Sequence, residues 1–220
     1  MRNIFLAIML LFVSVISYSQ NNSTTVENNQ NQNNQNQNNP KQEVPKENTD
    51  KSSIPEGYGN ISWGILLSDA KDKIAGRLTY TDEKTVIISK ESEIQYYYGF
   101  FYKEPEENEA AENTEAVQQK DEGKLFYVLI SFPYIDKDLI YEKIKEKYGI
   151  HTGETLKDNQ GAIVWDSEKT VIIMWVERYN KKPYCRKITY LSKEIAKELN
   201  EYTKNMFIKK ELDVLKNLKP

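Results

Sequence analysis

Residues 162–191 restrict what this chain can fold into more than any other stretch. They read as a strand ending at Trp165, a turn over 166–169, a long strand over 170–178, a second turn over 180–183 and a third strand over 184–191. β-branched and aromatic residues dominate the strands, and polar residues with one proline fill the turns. The middle strand, Val171-Ile172-Ile173-Met174-Trp175-Val176, is apolar at every position, so both of its faces call for cover. Two successive hairpins around such a strand predict an antiparallel sheet. The remainder of the chain has to cover its two faces or leave one of them to a partner.

The remainder begins with two segments that cannot contribute. Residues 1–19 have the layout of a secretory signal peptide, with Arg2, a nearly unbroken apolar run from Ile4 to Ile16, and Ser17-Tyr18-Ser19 before Gln20. The run is shorter than the roughly 20 apolar residues that a spanning helix needs. No cysteine follows it, which argues against a lipid anchor. The expectation is a periplasmic or secreted protein with no membrane span once the signal is cleaved. Between residues 20 and 39, fifteen of twenty positions are Asn or Gln. Such a segment has too little apolar surface to offset the entropy of ordering it, so residues 20–53 are predicted to be a disordered tether.

A single domain over 54–220 is left, within the ordinary size range. Its first element is predicted as a short helix over 69–75, with Ser68 as N-cap and Gly76 as terminator. Strands follow over 85–89, 94–102 and 124–132, the last two separated by a flexible acidic insertion at 103–123. Pro133 is expected to break the third strand, and Asp136 to cap a helix carrying Leu139, Ile140, Ile144 and Tyr148 and stopped by Gly149. After the opening hairpins, Ser192 caps a last helix. Its stripe Ile195, Leu199, Tyr202, Met206 gives way to a rotated one, Ile208, Leu212, Leu215, which predicts a bend near 205–207. The fold class is α+β: an antiparallel sheet of about six or seven strands from two αβββ-like halves, helices mainly on one face, plus the C-terminal helix.

The net charge of −3 lacks the concentrated basic face of nucleic-acid binders. A lone cysteine, Cys185, allows no internal disulfide. Arg186 beside it favours the thiolate, yet a packed thiol is the simpler expectation. His151, the one histidine, stands in a polar loop and offers an acid/base only if carboxylates converge on it. The insertion holds eight acidic residues between Glu104 and Glu122 without the spacing or turn glycine of a calcium loop. No metal, cofactor or catalytic constellation is predicted. The binding candidate is the aromatic strand: Tyr96, Tyr98 and Tyr102 alternate onto one face, Tyr97 and Phe101 onto the other, and a like-facing Tyr184 or Tyr190 would extend the first row. A core reading of the same tyrosines stands beside the binding one.

Trp63-Gly64, followed by Ser68-Asp69 and Ile74, resembles the opening of small periplasmic domains in exported bacterial proteins, and Tyr148-Gly149, Trp165 and Ile188-Thr189-Tyr190 sit where such domains carry similar residues. The layout resembles the tandem αβ architecture of the β-lactamase-inhibitor-protein type, related in shape to the small lipoprotein of the outer-membrane assembly machine. The resemblance covers roughly residues 58–192, and the chain departs from it in lacking the anchor cysteine and in carrying the insertion. It implies a non-catalytic envelope domain that binds another protein with its sheet or loops. The alternatives are a carbohydrate- or peptidoglycan-binding module using the aromatic face, and an envelope hydrolase using His151.

Overall fold

The computed structural model describes residues 54–103 and 122–218. The signal peptide, the tether and nearly all of the acidic insertion lie outside the described residues. The domain opens with a small hairpin, β1 (Gly57–Tyr58) and β2 (Ile61–Ser62), and a single helical turn, α1 (Leu67–Ala70), continued by a 3-10 turn (Lys71–Lys73). Strands β3 (Arg77–Thr81), β4 (Val86–Glu91), β5 (Ile94–Phe101) and β6 (Lys124–Asp136) form a meander. Helix α2 (Lys137–Tyr148) leads to a second meander, β7 (Gly153–Lys157), β8 (Gln160–Asp166), β9 (Thr170–Tyr179) and β10 (Lys182–Ser192), and α3 (Lys193–Asn217) ends the chain.

All eight long strands belong to one antiparallel sheet in the order β3-β4-β5-β6-β10-β9-β8-β7. The α+β class holds, with eight strands in place of six or seven. The two unexpected strands, β3 and β7, are the two edges. Their side chains are almost all exposed; β7 carries no apolar run or alternation, and the alternation in β3, Arg77-Leu78-Thr79-Tyr80-Thr81, spans only five residues. The meanders join through β6 and β10, with Ile130 opposite Ile188 and Val128 opposite Tyr190.

Local chemistry explains most element ends. Asn180-Lys181 and Asp158-Asn159 both take two consecutive positive φ angles, as tight two-residue hairpin loops require. The β9–β10 turn is therefore shorter than expected, and Pro183 already pairs with Arg178. Pro133 does not break β6. Past Ser131 the strand has left β5 behind, and opposite it β10 has a register shift between Cys185 and Lys187, so no regular ladder bond is lost. Asp136 caps α2 by accepting from the Asp138 N–H at 2.9 Å, and Gly149, at φ 84°, donates back to the Lys145 carbonyl.

Two helix expectations change. Ser68 is not an N-cap but lies inside α1, where its N–H donates to the Glu122 carboxylate at 2.6 Å. The capping group thus comes from the far end of the acidic insertion. Gly123 next to it is part of the fold as well, since a side chain there would collide with Lys84 and Phe100. At the other end of the chain, α3 runs unbroken over twenty-five residues, capped by Ser192. Ile195 is buried, whereas Ile208, Leu212 and Leu215 of the rotated stripe are exposed. The helix continues without a break through the expected bend at 205–207 and leaves its second stripe exposed. No described helix is long and apolar enough to cross a membrane.

The core lies on one face of the sheet. Ile87, Tyr98, Leu125, Val128, Ile163, Trp165, Ile172 and Met174 are almost wholly enclosed there, under β1–β2, α1 and α2. Ile144 of α2 is buried against them, while Leu139, expected on the same stripe, is 68% exposed.

Candidate functional site

The register separates the strand residues onto two faces that end differently. On the covered face, Tyr96 and Tyr98 of β5 stack at 6.4 Å, and the Tyr58 ring of β1 packs on both and on Tyr190. The Tyr98 hydroxyl accepts from the Ala75 N–H at 2.9 Å. Desolvation raises the pKa of Tyr98 and, together with the neighbouring Tyr148, that of Tyr190. Tyr96 and Tyr98 are 7% and 0% exposed, so the row expected to meet a partner faces inward. The alternation was read correctly, but the face it belongs to is the one that the hairpin and helices cover. Tyr102 lies past the end of β5, half-buried, with the Lys84 ammonium 4.9 Å from its ring centre.

The opposite face carries Ile88, Tyr97, Leu129, Ser131, Val164, Trp175, Glu177, Tyr184 and Lys187, all half-buried, around a few enclosed residues such as Ile173 and Thr189. Two of its rings bond through their polar groups to neighbours on the same surface. The Trp175 indole N–H donates to Thr189 Oγ1 at 2.9 Å, and the Tyr97 hydroxyl donates to Gln95 Oε1 at 2.6 Å. Gly99 leaves room for the Tyr127 ring opposite, since a Cβ there would come within 2.9 Å of it. Helix α3 reaches the margin of this face, where Tyr202 meets Phe101 at 5.7 Å.

At one end of the face three tyrosines converge. Tyr134 of β6 stacks on Tyr179 of β9 at 5.5 Å with an interplanar angle of 20°, and Tyr184 of β10 meets both edge-on at 6.0 and 6.2 Å. Tyr134 and Tyr179 are 45% and 54% exposed. The Arg186 guanidinium lies 5.0 Å from the Tyr134 ring centre and makes a long 3.4 Å bond to its hydroxyl. Its Nε is shut off from solvent without an acceptor. Beside it Lys187 pairs with Glu177 at 3.0 Å. Of the expected binding residues, only Tyr184 belongs to this group. Tyr134, Tyr179 and Arg186 were missed because each sits beside a turn or bulge, where strand alternation is no guide. Tyr97 was placed on the correct face but not singled out.

The other candidates have plain structural roles. Cys185 is fully enclosed, its Sγ directed at the Lys187 carbonyl at 3.4 Å, and burial pushes its pKa up to about 12. The charge of Arg186 does not overcome that burial, and the thiol is held protonated. His151 packs edge-on against Tyr141 and Trp165, with Nδ1 3.0 Å from the Tyr141 hydroxyl. The nearest acid, Glu154, is 3.8 Å from Nε2 and exposed, so no enclosed acid/base pair forms there. Among the described residues no group of three or more His, Cys, Asp or Glu side chains is placed to hold a metal.

No family model matches the chain, and no curated protein matches it. Among solved structures the chain is similar to a cysteine-rich secretory protein from Staphylococcus aureus subsp. aureus Mu50, with 11% identity and a TM-score of 0.30. The match covers 66% of this chain and 50% of that one, so the chain spans about half the length of that protein.

Proposed function

We propose that this is an exported, non-catalytic envelope protein whose sheet binds another protein. The observation that carries this reading is the second face: Tyr97, Trp175 and the Tyr134–Tyr179–Tyr184 group give it large, rigid rings with a polar rim. Tyrosine, tryptophan and arginine are the residues that carry most binding energy at protein interfaces, and here they share one side of a rigid sheet. The kinship to tandem αβ inhibitor-type domains belongs to the same proposal. Two successive units of a helix and a four-strand meander support it, with the sheet face as the binding element.

Site-specific photocrosslinking tests the reading. A photoreactive phenylalanine replaces Tyr179 on the second face or Leu139 on the exposed outside of α2, and the full chain is exposed to envelope extract. A discrete protein adduct at position 179 and none at 139 is the expected result. Equal labelling at both positions, or none at either, counts against the reading. A second reading, a glycan module, draws on the exposed stacked pair Tyr134–Tyr179, since flat rings also seat sugars. Co-sedimentation with peptidoglycan that is lost in Tyr179→Ala would favour it.

A further inference from the structure

Helix α3 changes character along its length. Ile195 is buried and Leu199, Tyr202 and Met206 are half-buried, but every described side chain from Phe207 to Leu218 is exposed. The exposed end is not polar. Taken at about 100° per residue, Val214, Phe207, Leu218, Leu215, Ile208 and Leu212 follow one another over an arc of about 160°, and each is 44–65% exposed. Lys210 stands just beyond Val214 at one edge of the arc, Lys216 just beyond Leu212 at the other, and Lys209 on the opposite side. Lys204 lies one turn before Phe207. Over residues 204–218 these four lysines outnumber Glu211 and Asp213, so the segment is cationic although the whole chain carries −3. A helical end of this length gains little stability without something to pack against.

We propose that this end of α3 is a membrane-surface helix, which lies along an anionic lipid bilayer with its apolar arc in the headgroup region and its lysines on the lipid phosphates. The inference goes beyond the sheet face and does not depend on it. Such a helix binds by the apolar area it buries and by attraction to anionic lipid. Lysines at the edges of the arc lay their stems along the apolar side while the ammonium groups reach the headgroups. The same charges disfavour a second copy as the cover. Self-pairing would set the cationic segment against itself and bring two Glu211 carboxylates into one dry seam. Glu211 interrupts the arc between Leu218 and Leu215, which keeps the helix shallow in the interface and the attachment reversible. Because no described helix can cross a bilayer, the attachment is peripheral.

The test uses the exported form of the chain, from Gln20 on, so that the apolar run over 4–16 adds no affinity of its own. An environment-sensitive dye is attached at Val214→Cys on the arc or at Lys209→Cys on the opposite side, and the native Cys185 is enclosed and stays unlabelled. Each labelled chain is titrated with vesicles of phosphatidylcholine alone and of an equal mixture with phosphatidylglycerol. The expected result is a blue shift at position 214 and none at 209, on the anionic vesicles only, and reversed by high salt. Lys210→Gln and Lys216→Gln each weaken partition about fivefold, and Glu211→Gln strengthens it by a similar factor. Ile208→Ser combined with Leu215→Ser abolishes it. All of these positions are exposed, so the variants keep the urea midpoint of the parent chain. Equal partition onto phosphatidylcholine alone overturns the proposal, as do blue shifts at both positions or binding that survives the double serine variant. Absence of partition onto either vesicle overturns it too. Sedimentation velocity then reads the remaining occupant: a dimer that the double serine variant dissociates assigns the arc to a second copy.

Discussion

The two faces of this sheet are built from nearly the same residues and end in opposite states. Tyr96, Tyr98 and Tyr190 point one way and are enclosed, whereas Tyr97 and Tyr184 point the other way and stay half-buried. What separates them is the chain that returns over the first face: Tyr58 from β1, Leu67 and Ala70 from α1, and Ile144 from α2. There the rings interdigitate and one hydroxyl is used to tie down the backbone at Ala75. On the second face α3 packs at the margin, through Tyr202 against Phe101, and the central rings stay half-buried. The polar groups of Tyr97 and Trp175 bond to neighbours on the same surface. A tyrosine-rich strand does not specify its own role, and the elements that return over it decide which rings become core.

The sharpest way to break the comparison is to remove one ring from each face. Tyr98→Ala deletes a fully enclosed ring and is expected to cost about 3–5 kcal/mol, the usual range for an aromatic core truncation. Tyr179→Ala, with its ring 54% exposed, should change stability by less than about 0.5 kcal/mol. Urea unfolding of the full chain measures both. Similar losses in the two variants would mean that the second face is as much a core as the first.

Alkaline unfolding sharpens the comparison further. Burial raises the pKa of Tyr58, Tyr98 and Tyr190 above the ordinary tyrosine value near 10. The unfolded chain ionises at that ordinary value while the folded one holds its protons. The contribution of these groups is therefore fully present below pH 10 and is lost as pH rises toward their folded values. The expected slope is roughly 1.4 kcal/mol per pH unit for each tyrosine still protonated in the fold. Replacing Tyr98 by Phe should reduce that slope, read from urea midpoints between about pH 10 and 11. An unchanged slope would show that Tyr98 ionises in the folded chain as easily as in the unfolded one.

Much of the scaffold is legible in the residues, because it depends on local chemistry. The β8–β9–β10 hairpins follow from apolar runs between turn residues, and α2 follows from Asp136 and Gly149 at its ends. What escapes the sequence depends on distant partners. Edge strand β7 is a strand because β8 bonds to it, not because Gly153, Glu154 and Lys157 favour it, and β3 is too short and exposed for the alternation of Leu78 and Tyr80 to announce it. The covered face is fixed by segments that precede β9 by about twenty residues, in the case of α2, to more than a hundred, in the case of β1. The Tyr134–Tyr179–Tyr184–Arg186 group joins three strands at a bulge and a turn, so no spacing within the chain announces it. The apolar stripe Ile208, Leu212, Leu215 predicts a bend only where apolar residues are covered, and these are exposed.

The smallest expected effect concerns how the cover of the first face is held. Helix α1 is one turn long, too short to persist alone, and its Leu67 and Ala70 are enclosed in the core. Its free N–H groups are met from outside: Ser68 by the Glu122 carboxylate, and Leu67 by the Gly123 carbonyl at 3.2 Å. Loss of one capping acceptor costs about 1 kcal/mol. Glu122→Ala should therefore lower stability by about that amount, and Glu122→Gln, which keeps an oxygen acceptor but loses the charge, by about half. The discriminating readout is local. Amide exchange at Ser68 should accelerate in Glu122→Ala, while the amides of Trp175 and Thr189 on the second face keep their rates, because nothing in that face leans on α1. Acceleration on both faces would mean that the two surfaces open as one unit and that the separation between a self-covered face and a docking face does not extend to their dynamics.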